Sequence, residues 1–420
     1  MEKQIYVYEN WTGPKPNLIG VLYAERIRGQ ETVSFEYDPA WLNERERKYK
    51  LDPDLSYYNG RQFVPLDHAM FGLFSDSCPD RWGRKLMNRR EAILAREENR
   101  RPEKLLETDY LLGVYDEARM GALRLKLDPE GPFVSADERL ATPPWVKLRQ
   151  LEAASLRFEE DEDGLSGRWL NELLAPGSSL GGARPKATIV DEKGNLWIAK
   201  FPSKNDEYDS GAWEMVAHEL AELCGLNVPD ARAERFSKNG TTFLVKRFDR
   251  AGAQRIHFSS AMTLLGKTDG ESAGYLELAE FIRSQGACPK EDLKELWRRI
   301  VFSMAITNTD DHLRNHGFLL REKGWVLSPA FDVNPTPYGH ELSLDVDGYS
   351  NEIDIGATIR TADYYGLTEE AAEQEAEQIL KIVAKNWEPE ARKLGLGRSQ
   401  IERMEAAFRV GSVCVKSRGN

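Results

Sequence analysis

The densest chemistry in the sequence lies in Ile306–Pro335, ITNTDDHLRNHGFLLREKGWVLSPAFDVNP. Asp310 and Asp311 open it, Asn315 follows five positions after Asp310, and Asp332 comes near its end. Phosphoryl transfer needs an aspartate to take the proton of the attacking hydroxyl. An asparagine five positions on and a later aspartate can then hold Mg2+ against the phosphates. Oxygen-only ligands suit Mg2+, which takes one or two carboxylates and completes its shell with phosphate oxygens and water. Asp311 puts a second carboxylate next to the first, and Thr309, Arg314 and two histidines add more polar chemistry than a turn requires. The same residue types also cap helices and shape turns. The constellation therefore calls for a phosphate loop and a lysine elsewhere in the chain.

Both are present upstream. Gly177–Lys186, GSSLGGARPK, packs three glycines among Ser178, Ser179 and Ala183 and ends on Lys186. Such a stretch lets backbone N–H groups approach phosphate closely, although a flexible linker has a similar composition. It leads into a hairpin, Lys186–Val190 and Leu196–Phe201, that carries Lys200 within LWIAKFP. A lysine there is costly to bury without an anionic partner, and ATP phosphates are one; a lysine snorkelling at a sheet edge is the alternative. Ser210–Leu223 reads as a helix with an apolar stripe at Trp213, Val216, Leu220 and Leu223, and its Glu214 or Glu219 is a candidate partner for Lys200. Strands Arg232–Phe236 and Thr241–Phe248 close over Lys238-Asn239-Gly240 and end at Arg247-Phe248-Asp249. Gly loop, strand lysine, helix, hinge strand, then D-x-x-x-x-N and a late Asp is the order of a kinase.

The remaining elements frame this core. Gln4–Glu9, Leu18–Arg26 and Thr32–Tyr37 alternate in the manner of an antiparallel β-meander. Arg81–Arg101 reads as a helix with eight basic and three acidic residues, a possible contact for an acidic partner or simply a solvated face. Leu127–Pro144 reads as a linker, followed by a helix from Trp145 and an acidic run, Glu159–Asp163. Helices are expected over Tyr275–Ser284, Lys290–Thr307 and Thr368–Asn386. The chain of 420 residues carries a net charge of −12, which argues against adhesion to nucleic acid by charge alone. Cys78, Cys224, Cys288 and Cys414 form no C-x-x-C pair, which disfavours a zinc site. With no signal pattern and no long apolar run, a cytoplasmic protein without a membrane segment is expected.

SSLGGARPKA, WIAKFP, LVKRFDR, NTDDHLRNHGF and LSPAFDVNP, in that order, resemble the HipA-type serine/threonine kinase toxins of bacterial toxin–antitoxin modules. FGLFSDSCPDRWGR at Phe71–Arg84 resembles the N-terminal subdomain of the same proteins. The resemblance implies an α+β, protein-kinase-like fold with a small β-rich ATP lobe and a mostly helical C-terminal lobe, preceded by a β-meander and helix subdomain. The expected divisions are 1–163 for that subdomain, 164–250 for the N-lobe and 251–420 for the C-lobe. It further implies ATP and Mg2+ as cofactors, Asp310 as catalytic base, and Asn315 and Asp332 as metal ligands. ATP would meet Ser179, Gly181, Gly182, Ala183, Lys186, Lys200, Arg247, Phe248 and Asp249, with the backbone around Arg247–Phe248 as adenine hinge. Ser179, or Ser178 beside it, would be autophosphorylated to inactivate the enzyme. The implied partners are a small helix-turn-helix antitoxin of the HipB type, operator DNA through that antitoxin, and a protein substrate such as an aminoacyl-tRNA synthetase. A small-molecule phosphotransferase with the same core and a co-repressor acting through its antitoxin are the competing readings.

At this net charge the isolated chain is expected to bind duplex DNA weakly, because affinity tracks the number of phosphates neutralised. Fluorescence anisotropy with a labelled duplex across a salt series checks this; tight, steeply salt-dependent binding would point to the Arg81–Arg101 helix as a DNA contact.

Overall fold

The computed structural model describes residues 2–43, 49–135, 142–160, 173 and 184–410. The chain forms two compact units, one of residues 1–204 and 246–268, the other of 205–245 and 269–420.

In the first unit, β1 (Glu2–Glu9), β2 (Asn17–Ile27) and β3 (Gln30–Tyr37) form the expected meander. Two further strands extend it, β4 (Gln62–Phe63) and β5 (Leu123–Lys126), giving the order β4-β3-β2-β1-β5. Ile27 pairs with Gln30, so Arg28 and Gly29 alone make the turn, and both have positive φ (52° and 79°). That is the twist a two-residue hairpin between right-twisted strands requires. Ile5, Val7, Leu22, Val33 and Phe35 are buried at alternating positions.

The segment Phe71–Arg84 does its work inside this unit. Asp76 is buried and accepts from Ser259 Oγ (3.0 Å), Ser260 N (2.7 Å) and Ser260 Oγ (2.7 Å). Asp80 caps the helix Arg81–Glu97 through Gly83 N (2.7 Å) and forms a 2.8 Å ion pair with Lys186 on β6 (Lys186–Val190). β6 pairs antiparallel with β7 (Leu196–Lys200), which sets Lys186 opposite Lys200. Like charges facing each other across a ladder destabilise it, and Asp80 supplies the anion on the Lys186 side. Of the acidic run, Glu159 accepts from Ser203 Oγ (2.7 Å) and Lys204 N (2.9 Å).

A second buried network holds the return segment 246–268. The Arg247 guanidinium donates to Asp249 (2.9 and 2.6 Å) and to the carbonyls of Ala118 (2.6 Å) and Arg119 (3.0 Å). Asp249 also accepts from Gly121 N (2.8 Å) and pairs with Arg250 (2.7 Å). Burial alone would raise its pKa, yet the Arg247 and Arg250 charges hold it down at about 2.

The second unit is mostly helical. Ser210–Leu223 forms as expected, and its N-cap Asp209 accepts from Ala212 N (3.2 Å), Thr241 N (2.9 Å) and Thr241 Oγ1 (2.9 Å). The cap thus ties the helix to the hairpin of β8 (Ala231–Ser237) and β9 (Gly240–Lys246). Gly211 lies so close that a Cβ there would stand 2.0 Å from the Thr241 carbonyl oxygen. The helix Pro289–Ala305 packs against both Tyr275–Gln285 and a long helix, Glu369–Lys393, which Thr368 caps. The expectation that this last helix stops at Asn386 is corrected. It runs through Pro389, whose cost in a helix interior is about 3 kcal/mol, because buried Trp387 and Ala391 keep its far end packed.

Asp249→Ala is expected to lower stability by about 3–5 kcal/mol, since it leaves Arg247 buried and uncompensated. Chemical denaturation of the variant beside the wild type measures this.

Candidate active site

The helix Pro289–Ala305 delivers the chain to the Asp310 loop through a tight reversal. Thr307 N donates to Met304 O (3.3 Å) and Asn308 N to Ser303 O (2.8 Å), the paired bonds of a Schellman motif. The left-handed position of that motif favours glycine, yet here it holds Thr307 at φ 53°. A β-branched residue in that region costs roughly 1–2 kcal/mol. Thr307 is held by donating its hydroxyl to Ala407 O (2.8 Å).

Beyond this reversal the two neighbouring aspartates part company. The Asp310 side chain is 88% exposed, with His312 Nε2 4.0 Å from its carboxylate. Asp311 is 7% exposed and accepts from Tyr275 Oη (2.6 Å) and Ser303 Oγ (3.3 Å), with His316 Nε2 at 3.0 Å. Burial would raise the Asp311 pKa, but the His316 charge and these hydrogen bonds bring it below the ordinary carboxylate value. Asp311 is therefore spoken for inside the unit, and Asp310 is the carboxylate presented outward.

Asn315 sits in a 3-10 turn, Leu313–Asn315, and its amide nitrogen donates to the Asp310 carbonyl (2.8 Å). A hairpin follows, Gly317–Arg321 and Gly324–Leu327, closed by Glu322-Lys323. Its exit is anchored twice: Asp292 accepts from Leu327 N (3.0 Å), and Arg299 donates to Ser328 O (2.8 Å). Asp332 then takes φ 59°, a second strained backbone position. Asn334 N donates to Asn308 Oδ1 (3.4 Å), and Thr336 N to Thr307 O (3.3 Å), which docks the Asp332 segment on the Asp310 loop. Asp311, Asn315, His316, Phe331 and Val333 line one small cavity of ≈ 20 Å³, so the two segments meet around it. Among the described residues there is no group of three or more His, Cys, Asp or Glu side chains placed to hold a metal. One carboxylate and one amide oxygen still fit Mg2+, which relies on phosphate and water for the rest of its shell.

The other sequence candidates are distributed as follows. Lys200 is buried at the end of β7 in the first unit, and Glu214 is buried on the helix Ser210–Leu223 in the second. Lys186 is engaged by Asp80, and the Arg247 and Asp249 side chains are engaged with each other. The backbone Arg247 N donates to Leu196 O (2.9 Å). Phe248 is half-buried, 6.1 Å from the Phe258 ring. Ser178, Ser179, Gly181, Gly182 and Ala183 lie outside the described residues. Sequence reading missed Tyr275, His316 and Thr307. Tyr275 opens a helix far upstream, and nothing in its local pattern links it to Asp311.

Residues 178–387, half of the chain, match the family model of the HipA-like C-terminal domain. The chain belongs to the HipA-like family. Two curated relatives match part of the chain. The "Putative kinase Y4mE" of Sinorhizobium fredii is 29% identical over 192 residues, 39% of this chain and 44% of that protein. A "Putative kinase" of Haemophilus influenzae is 26% identical over 188 residues, 39% of this chain and 54% of that protein. The chain thus spans about half the length of these relatives. Among solved structures, HipA of Shewanella oneidensis, in a toxin–antitoxin complex with HipB and operator DNA, shares the fold. It matches with a TM-score of 0.65 at 16% identity, over 97% of both chains. The mixed α/β fold is therefore that of HipA.

Proposed function

We propose that the protein is an ATP- and Mg2+-dependent serine/threonine-protein kinase and the toxin of a type II toxin–antitoxin module. One observation carries the reading. Of two adjacent aspartates, Asp310 is presented outward while Asp311 is buried, with Asn315 bonded to the same loop and the segment that carries Asp332 tied to Asn308 through Asn334 N.

In this reading Asp310 accepts the proton of the attacking hydroxyl, which is the task of a base within reach of the nucleophile. Asn315 and Asp332 present the oxygens that hold Mg2+. The bound ion would neutralise charge on the phosphate oxygens as the γ-phosphoryl group transfers. Lys200, supported by Glu214, is assigned to the phosphates, and the backbone at Arg247–Phe248 to the adenine. The kinase-like division into a β-rich N-lobe (164–250) and a helical C-lobe (251–420) after the N-terminal subdomain belongs to the same proposal. So do autophosphorylation at Ser179 or Ser178, a HipB-type antitoxin that brings the chain to operator DNA, and a translation component such as an aminoacyl-tRNA synthetase as substrate. HipB and operator DNA are what the Shewanella relative is bound to.

Asp310→Asn and Asp332→Asn are each expected to abolish transfer of labelled γ-phosphate, by at least about 100-fold. For Asp310→Asn the melting temperature should stay within a degree or two of the wild type, because the side chain is exposed. Retained transfer in either variant would contradict the assignment.

A further inference from the structure

The D-x-x-x-x-N spacing of Asp310 and Asn315 has a buried counterpart one residue on. Asp311 and His316 keep the same separation along the chain and meet, with His316 Nε2 3.0 Å from Asp311 Oδ1. Each functional residue is thus followed by a residue of this pair. We infer that Asp311 and His316 are positioning residues, a staple across the base of the loop that sets the separation of Asp310 from Asn315. The inference rests on the proposed function for what Asp310 and Asn315 do.

Geometry supports the staple at both ends. Consecutive Cα atoms are fixed about 3.8 Å apart, so closing 311 on 316 confines 310 and 315 to neighbouring positions. The Asn315 amide bond to the Asp310 carbonyl (2.8 Å) is compatible only with that closed loop. Asp311 is itself immobilised from two helices, by Tyr275 at the start of Tyr275–Gln285 and by Ser303 in the last turn of Pro289–Ala305. The Tyr275 ring meets the His316 ring edge-on, 5.8 Å between centroids at 88°. Tyr275 therefore touches both members of the pair. Both side chains are almost wholly buried, at 7% and 3% exposure, so neither has a direct role toward a substrate. Residues that orient metal ligands from behind typically change metal affinity or activity by about 10–100-fold when removed.

The experiment compares His316→Gln, whose amide nitrogen can replace the ring donor, with His316→Leu, which has none. Asp311→Asn, which keeps size and can still accept from Tyr275, serves as an independent variant if the leucine form folds poorly. Hydrogen exchange at residues 310–316 reads the staple without any activity assay. Exchange is expected to rise at least about 10-fold in His316→Leu and in Asp311→Asn and to stay near wild type in His316→Gln. Unchanged exchange in folded His316→Leu and Asp311→Asn would overturn the staple. Titration of Mg2+ in the presence of AMPPNP reads its consequence. The apparent Mg2+ dissociation constant should rise about 10–100-fold in His316→Leu, with recovery in His316→Gln. An unchanged constant in folded His316→Leu would overturn the positioning role. Failure of the wild-type protein to bind Mg2+ with AMPPNP would instead defeat the proposed function, and the exchange result would still decide the staple.

Discussion

A buried carboxylate is tolerable only when its charge and lone pairs are met, and Asp311 is the place where this unit meets that demand. Tyr275, Ser303 and His316 converge on it from two helices and from the far end of its own loop. Each partner is therefore fixed relative to the others through one carboxylate, Tyr275 and Ser303 on Oδ2 and His316 on Oδ1. Removing one partner of a buried pair typically costs about 3–5 kcal/mol, whereas an exposed ion pair contributes about 0–1 kcal/mol. That difference explains why the loop can leave Asp310 in solvent and still hold it in one place. The anchoring is done by its neighbour.

The surroundings add strain that the anchor makes tolerable. Thr307 and Asp332 both lie in the left-handed region, one just before the Asp310 loop and one just after the hairpin. The Thr307–Ala407 bond and the contacts of Asn308 and Thr307 to residues 334 and 336 over-determine both positions. Strain of this kind persists where the surrounding structure fixes it, commonly at functional sites. In the first unit an analogous economy governs Asp76, Asp80 and Asp249. Each joins segments distant in sequence through several bonds to one carboxylate.

Much of the scaffold was legible because its signals are local. The meander, both hairpins and the helix Ser210–Leu223 announce themselves through alternation, turn residues and an apolar stripe. The D-x-x-x-x-N spacing and the late Asp332 likewise stand out in one short stretch. Two adjacent aspartates cannot be told apart by type, however; burial by Tyr275 and His316, a tertiary fact, separates them. Thr307 was invisible for the opposite reason. A Schellman reversal is normally marked by glycine, and here the marker is missing. Lys186 followed a glycine-rich loop and so invited a phosphate role, while its ion pair with Asp80 bridges segments with no shared local pattern. Pro389 gave a stop signal that packing overrides.

The proposed phosphoryl-transfer site of Asp310, Asn315 and Asp332 depends on Asp311 for its geometry. A crystal structure of the protein with Mg2+ and AMPPNP tests it most directly. The metal is expected on the Asn315 amide oxygen and the Asp332 carboxylate, with Asp310 off the metal and Asp311 still paired with Tyr275 and His316. A metal bound by Asp310 or Asp311, with Asp332 turned away, would contradict it.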